Sequence, residues 1–221
     1  MKSLALDPRL AAQLTFRERP PLEFASTGLP ALDALTGGLP RGAITDLYGP
    51  PSSGRTSLLL SALATATARE EVCALVDASD ALDPASAASA GADLDKLLWV
   101  RCAGNPEHAL KAVDLLIHGG GFGLLALDLG DVAPQIARRI PLAAWFRLRR
   151  AIENTRQALL VVEREPTVKS CAGLLLEMQR EQVSWSGAPG CSRLLRGARL
   201  GALPRKPAVW QTASFEARAW G

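Results

Sequence analysis

Residues 49–57 read GPPSSGRTS. The spacing approaches G-x-x-x-x-G-K-[ST], a loop that wraps phosphate groups in backbone N–H donors at the start of a helix. Gly49 and Gly54 let the backbone curl, and the N–H groups of the serines between them point inward. Thr56 has the hydroxyl that a magnesium ion on the phosphates would take. Asp128 closes a later apolar run and could hold the same ion through water. The candidate nucleotide residues are thus Gly49, Ser52, Ser53, Gly54, Arg55, Thr56, Ser57 and Asp128, with Thr56 and Asp128 as the metal pair.

Arg55 departs from the pattern. Lysine acts at this position as a compact point charge, whereas arginine is longer, planar and forked. Three readings stand. The guanidinium clamps phosphate; or it reflects a chain with 20 arginines and 5 lysines; or the loop survives only as a turn.

Phosphate loops need a strand before them and a helix after. AITDLYG is an apolar run ending at the loop, and TSLLLSALATATARE sets Leu59, Ala62, Leu63 and Ala66 at helical spacing. EVCALVDAS, LLWVRC, FGLLALDLG and ALLVVERE read as buried strands. NPEHALKAVDLLIHGGG and PLAAWFRLRRAIENTRQ read as helices between them. In the latter, Leu142, Trp145, Leu148 and Ile152 form the apolar face, opposite Arg147, Arg150 and Asn154. This alternation predicts an α/β fold with a mostly parallel central sheet flanked by helices. CAGLLLEMQREQVSWSG and KPAVWQTASFEARAW lack helices between them, and are expected as antiparallel strands on one edge. DPRLAAQL predicts a short helix capped by Asp7. Residues 1–25 are read as N-terminal helix and linker, and 26–221 as the core domain.

At 48% hydrophobic and 21% charged, the chain has the balance of a globular domain. The N-terminus lacks a long apolar run, and no stretch reaches the ~18 apolar residues of a spanning helix. No signal peptide and no membrane association are expected, and the location is read as cytoplasmic. Cys73, Cys102, Cys171 and Cys191 are scattered, which predicts reduced, mostly buried thiols. His108 and His118 lack ligand spacing and read as ordinary residues.

A net charge of +3 excludes nothing, but its distribution is uneven. Arg147 and Arg150 sit in one basic segment; Arg196, Arg199, Arg205 and Lys206 sit in another. Either group is a solvated face or a contact for single-stranded DNA or a protein. In the second segment, Leu194, Leu195, Leu200 and Leu203 are expected to pack under the sheet edge, unless that region, with Trp185, Trp210 and Trp220, forms a partner surface.

The stretch STGLPALDALTGGLPRGAITDLYGPPSSGRTSLLL, followed by CALVDASDALDPASAASAGADLDKLLWVRC, resembles the RecA recombinase core. The resemblance is clear over 26–163 and weaker beyond. It implies a RecA-like phosphate-loop fold binding ATP and Mg2+. It also implies losses. The family's water-orienting glutamate falls on Ser79, which cannot act as a carboxylate base. Its γ-phosphate-sensing glutamine falls on Glu163, which would repel phosphate. Its DNA loop shrinks to REPTVKSCAG, its N-terminal polymerisation helix is shortened and its separate C-terminal domain is missing.

Among such relatives the chain looks most like the ImuA-type accessory proteins of bacterial mutagenic cassettes. That likeness implies a role in the SOS response and translesion synthesis, beside an ImuB-type polymerase-like protein, a DnaE-type polymerase and RecA. The ATP site would be weak or vestigial. The rival reading is a small RecA-type DNA-dependent ATPase, with Arg55 as the clamp and Asp80 as the base. A third is a regulatory ATPase of another RecA-like branch.

Overall fold

A computed structural model describes residues 23–187, 193–208 and 211–218. The helix expected at Asp7, most of the 1–25 segment, and Cys191, Trp210 and Trp220 lie outside the described residues.

The chain enters through β1 (Phe24–Ala25), α1 (Pro30–Thr36) and β2 (Leu39–Pro40), with β1 and β2 paired antiparallel. Pro30 opens α1, and Gly37 ends it in the left-handed region at φ 81°. Then come β3 (Ala43–Tyr48), α2 (Arg55–Ala68), β4 (Cys73–Asp77), α3 (Pro84–Ser89), β5 (Leu97–Arg101), α4 (Pro106–Gly119) and β6 (Leu124–Asp128). The single turn α5 (Pro134–Ala137), α6 (Leu142–Ile152) and β7 (Ala158–Glu163) follow. Long strands β8 (Ala172–Ser186), β9 (Leu194–Lys206) and β10 (Ala213–Arg218) close the described chain.

The main sheet runs β10-β9-β8-β3-β7-β6-β4-β5. It is parallel from β8 to β5 and antiparallel at β8–β9 and β9–β10. This is the expected mostly parallel sheet with antiparallel C-terminal strands. Every residue of β4 and β7 is buried, because helices cover both faces.

One face packs on α2, around Leu58, Leu59, Leu63, Leu75, Ala126 and Leu160. The other packs on α4 and α6, around Val76, Val113, Leu127, Trp145, Leu148 and Val161. The helical patterns were legible where the core is deepest. Leu59, Ala62, Leu63 and Ala66 are buried, as are Trp145, Leu148 and Ile152. Leu142 differs: it sits at the first turn of α6, outside the packed layer, and is exposed.

The basic C-terminal stretch contains a full strand, β9, which its glycines and arginines had hidden. Leu200 is buried as expected, but Leu194 and Leu195 are 71% and 47% exposed. The distal half of β8 is exposed too. Among the described residues, no core cluster reaches those two leucines. Cys73, Cys102 and Cys171 are free and buried. Among the described residues, no helix is long and apolar enough to cross a membrane.

Candidate nucleotide site

The loop between β3 and α2 curls between its glycines and leads straight into the helix. Ser52 takes φ 60° and Gly54 takes φ 93° at the helix N-cap. No side chain caps α2, so the N–H groups of its first turn face outward without an intrahelical partner. Such a helix start attracts anions through its donors and its dipole. Glycine is required at both ends of the loop. A Cβ on Gly49 would stand 2.4 Å from the Met178 carbonyl oxygen, and one on Gly54 2.3 Å from Leu200 Cδ1. Strands β8 and β9 therefore press directly on the loop.

Ser53 is buried and its Oγ has no hydrogen-bond partner. Ser52 and Thr56 are exposed, and Ser57 is half-buried. A cavity of about 240 Å³ lies over the loop, walled by Leu195, Ala198 and Leu200 of β9 and Ala217 of β10. Those β9 side chains carried no signal in the sequence, because strand pairing brings them to the loop from far along the chain.

Arg55 is only 9% exposed, and its Nη1 has no hydrogen-bond partner. Burial pulls its pKa below the ordinary arginine value, and the nearby Asp128 carboxylate opposes that pull. The guanidinium and Asp128 converge over Gly130. A Cβ there would meet Asp128 Oδ1 at 2.9 Å and Arg55 Nη1 at 3.3 Å. The Gly130 N–H donates to Asp128 Oδ1 at 2.8 Å. Burial pushes the Asp128 carboxyl up to about 6, against that hydrogen bond. Arg164 fixes the same turn, donating to the Gly130 carbonyl at 2.8 Å and pairing with Asp131 at 3.2 Å.

A second cavity of about 270 Å³ separates α2 from this turn, lined by Arg55, Thr56, Leu82, Asp83, Asp128 and Asp131 among others. The donor set suits an anion such as a polyphosphate: an uncapped helix start and an unpartnered guanidinium nitrogen. A magnesium ion does not fit the donor set as it stands. An ion on Asp128 would share the cavity with a buried fixed cation, and like charges repel strongly where water is scarce.

Ser79 lies just past β4, and its N–H donates to Asp77 Oδ1 at 3.2 Å. Asp77 pairs in register with Asp128, but its other oxygen accepts from Leu82 N at 2.9 Å and Trp99 Nε1 at 3.3 Å. It is a buried anchor for the turn. Asp80, the alternative base, is turned toward β5, where it pairs with Arg101 at 3.1 Å.

Glu163 does not face the phosphate loop. Its strand neighbour Val161 pairs in register with Asp46, and both acidic residues point to the face away from α2. Glu163 accepts from Thr167 N, and from Thr167 Oγ1 at 2.6 Å. The expected repulsion of phosphate is replaced by a buried structural role. Asp46, a lone carboxylate inside the run AITDLYG, was the available signal for this second acid.

The basic residues do not form one surface. Arg147 pairs with Asp114 of α4 at 3.5 Å, and Arg150 is exposed on α6. Arg196 and Arg199 are exposed on β9, in the antiparallel part of the sheet. Arg205 pairs with Glu177 at 2.5 Å, and Lys206 donates to the Ser170 and Ala172 carbonyls. Those two hold the β8–β9 edge and are not free contacts. His118 lies 2.7 Å from the Asp114 carbonyl oxygen, and the described residues contain no metal-ligating cluster.

Comparison with known proteins agrees with this architecture. Residues 11–138 match the RecA N-terminal domain. Protein RecA of Leifsonia xyli subsp. xyli is 35% identical over 161 residues, which is 66% of this chain and 45% of that protein. Protein RecA of Streptomyces venezuelae is 44% identical over 124 residues, 55% of this chain and 32% of that protein. That of Cutibacterium acnes is 46% identical over 104 residues, 46% of this chain and 30% of that protein. The chain thus spans less than half the length of these curated relatives. The matched segment holds the cradle, Arg55 and Asp128, and on it the chain belongs to the RecA family.

Proposed function

We propose that this chain is a RecA-fold accessory protein in bacterial DNA damage tolerance, acting through protein contacts and keeping a degenerate ATP site. One observation carries the reading: the phosphate cradle is intact while the carboxylates around it are committed elsewhere. Ser79 stands where the family has its water-orienting glutamate. Asp77 anchors a turn, Asp80 pairs with Arg101, and Glu163 points to the opposite face. Hydrolysis needs a group that positions the attacking water, and this reading takes the loss of a carboxylate at Ser79 as the loss of that group. A site that binds without turning over suits a scaffold.

The finer assignment, to the ImuA-type accessory proteins, rests on analogy with the altered site. The proposed setting is accordingly SOS mutagenesis and translesion synthesis, with an ImuB-type polymerase-like protein, a DnaE-type polymerase and RecA as partners. Single-stranded DNA is a further proposed partner.

A small RecA-type DNA-dependent ATPase is the second reading. The buried, unpartnered Arg55 nitrogen favours it, because that group is available to clamp phosphate. ATP turnover with and without single-stranded DNA separates the two, with Arg55→Ala and Asp128→Ala alongside. The accessory reading expects no stimulation by DNA. Stimulated turnover lost in both variants would establish the ATPase instead.

A further inference from the structure

We infer that the loop holds a nucleotide polyphosphate without a divalent cation, the Arg55 guanidinium standing in the metal's place. This rests on the reading of the loop as a nucleotide site, and it adds how charge is balanced there.

Three independent features converge. The 14-residue helix α2 begins with no side-chain cap, so its first N–H groups await an acceptor. Two polar side chains at that start are more than nine-tenths buried and unsatisfied: Ser53 at its Oγ and Arg55 at its Nη1. A buried donor without an acceptor is costly, and an anion beside Arg55 relieves its guanidinium. Finally, the guanidinium lies over Gly130 beside Asp128, in close contact with that turn.

That position decides against a metal. A cation bridging phosphate to Asp128 would need the approach that Arg55 now lines. Arg55, Thr56 and Asp128 share one cavity, and a guanidinium stays charged at any physiological pH. Arg164, tied to Gly130 and Asp131, keeps the turn from retreating. Asp128, Asp131 and, less strongly, Glu163 are the opposing charges around Arg55, and Asp77 acts on Asp128. Asp128 and Asp131 have Arg55 and Arg164 to offset them, and Asp77 is spent on backbone and indole donors. The fork of Arg55 can bind two phosphate oxygens at once, which a lysine point charge cannot, so one residue serves as both clamp and bridge.

The test is titration of ATP by calorimetry at pH 7.5, with EDTA or magnesium chloride in excess. The two dissociation constants are expected to agree within about threefold. Tightening by magnesium of about tenfold or more overturns the inference and leaves the nucleotide site standing. No binding in either buffer overturns the nucleotide reading itself. Arg55→Lys keeps the charge but loses the fork. It is expected to weaken ATP binding in EDTA by about tenfold and to recover affinity when magnesium is added. A folded Arg55→Lys protein, checked by circular dichroism, that matches the parent in both buffers also overturns the inference.

Discussion

Asp46 on β3 and Glu163 on β7 lie on the same face of adjacent parallel strands, both buried, and the local donors go to only one of them. Thr167 supplies its N–H and its hydroxyl to Glu163, while neither oxygen of Asp46 has a hydrogen-bond partner. Burial, with the Glu163 charge beside it, pushes Asp46 up to about 10; burial also raises Glu163, and the Thr167 donors restrain it. Asp46 therefore carries a proton at neutral pH, and Glu163 is the natural acceptor for it.

A pH dependence follows. A carboxyl whose folded pKa is raised stabilises the fold most below its unfolded value, near 4, and loses that contribution as pH climbs toward 10. Asp46→Asn keeps an N–H donor for Glu163 but cannot ionise. Its stability should fall less between pH 5 and pH 9 than that of the parent, by urea melts at both values. An unchanged slope would show that the pair does not titrate.

The contact of Leu200 with Gly54 gives a steric prediction. Gly54→Ala adds a Cβ at a positive φ and against Leu200 Cδ1, 2.3 Å away. It should cost about 1–3 kcal/mol and weaken nucleotide binding. Leu200→Ala in the same chain removes the clash but not the backbone strain, so it should restore only part of the loss. A double-mutant cycle from thermal melts measures the share; full additivity would mean the two do not touch.

Asp128 titrates the other way from a paired carboxylate. Burial raises it to about 6, so its ionisation opposes folding as pH rises through that value. Asp128→Asn retains an oxygen for the Gly130 N–H. Relative to the parent, it should gain stability between pH 4 and pH 8. Equal differences at the two values would contradict the shift.

The basic residues divide by what already holds them. In the proposed contact with single-stranded DNA, Arg150→Gln, Arg196→Gln or Arg199→Gln should lower the slope of log K against log salt by about one. Arg205→Gln and Lys206→Met should leave that slope unchanged, because Glu177 and backbone carbonyls occupy those side chains. Fluorescence titrations at several salt concentrations give the slopes. A slope change from Arg205→Gln alone would reverse the assignment.

The parallel core and the glycine turn before α2 were legible in the sequence. Both are local: continuous apolar runs make buried strands, and the glycine spacing at 49–54 dictates the curl before α2. Arg55 at the motif's lysine position, and Ser79 where the resemblance implies a glutamate, were readings of single positions. Only the tertiary structure decided how these parts meet. It turned Glu163 away from the loop, because alternation along a strand sends every second side chain to the other face. It gave Asp80 to Arg101 through pairing of β4 with β5. It made β9 a wall of the cavity over the glycine loop, where sequence had shown a basic tail. Long-range pairing leaves no trace in local spacing, and the surroundings of Arg55 come from that pairing: α2, the turn after β6 and Arg164 meet only when the sheet is assembled.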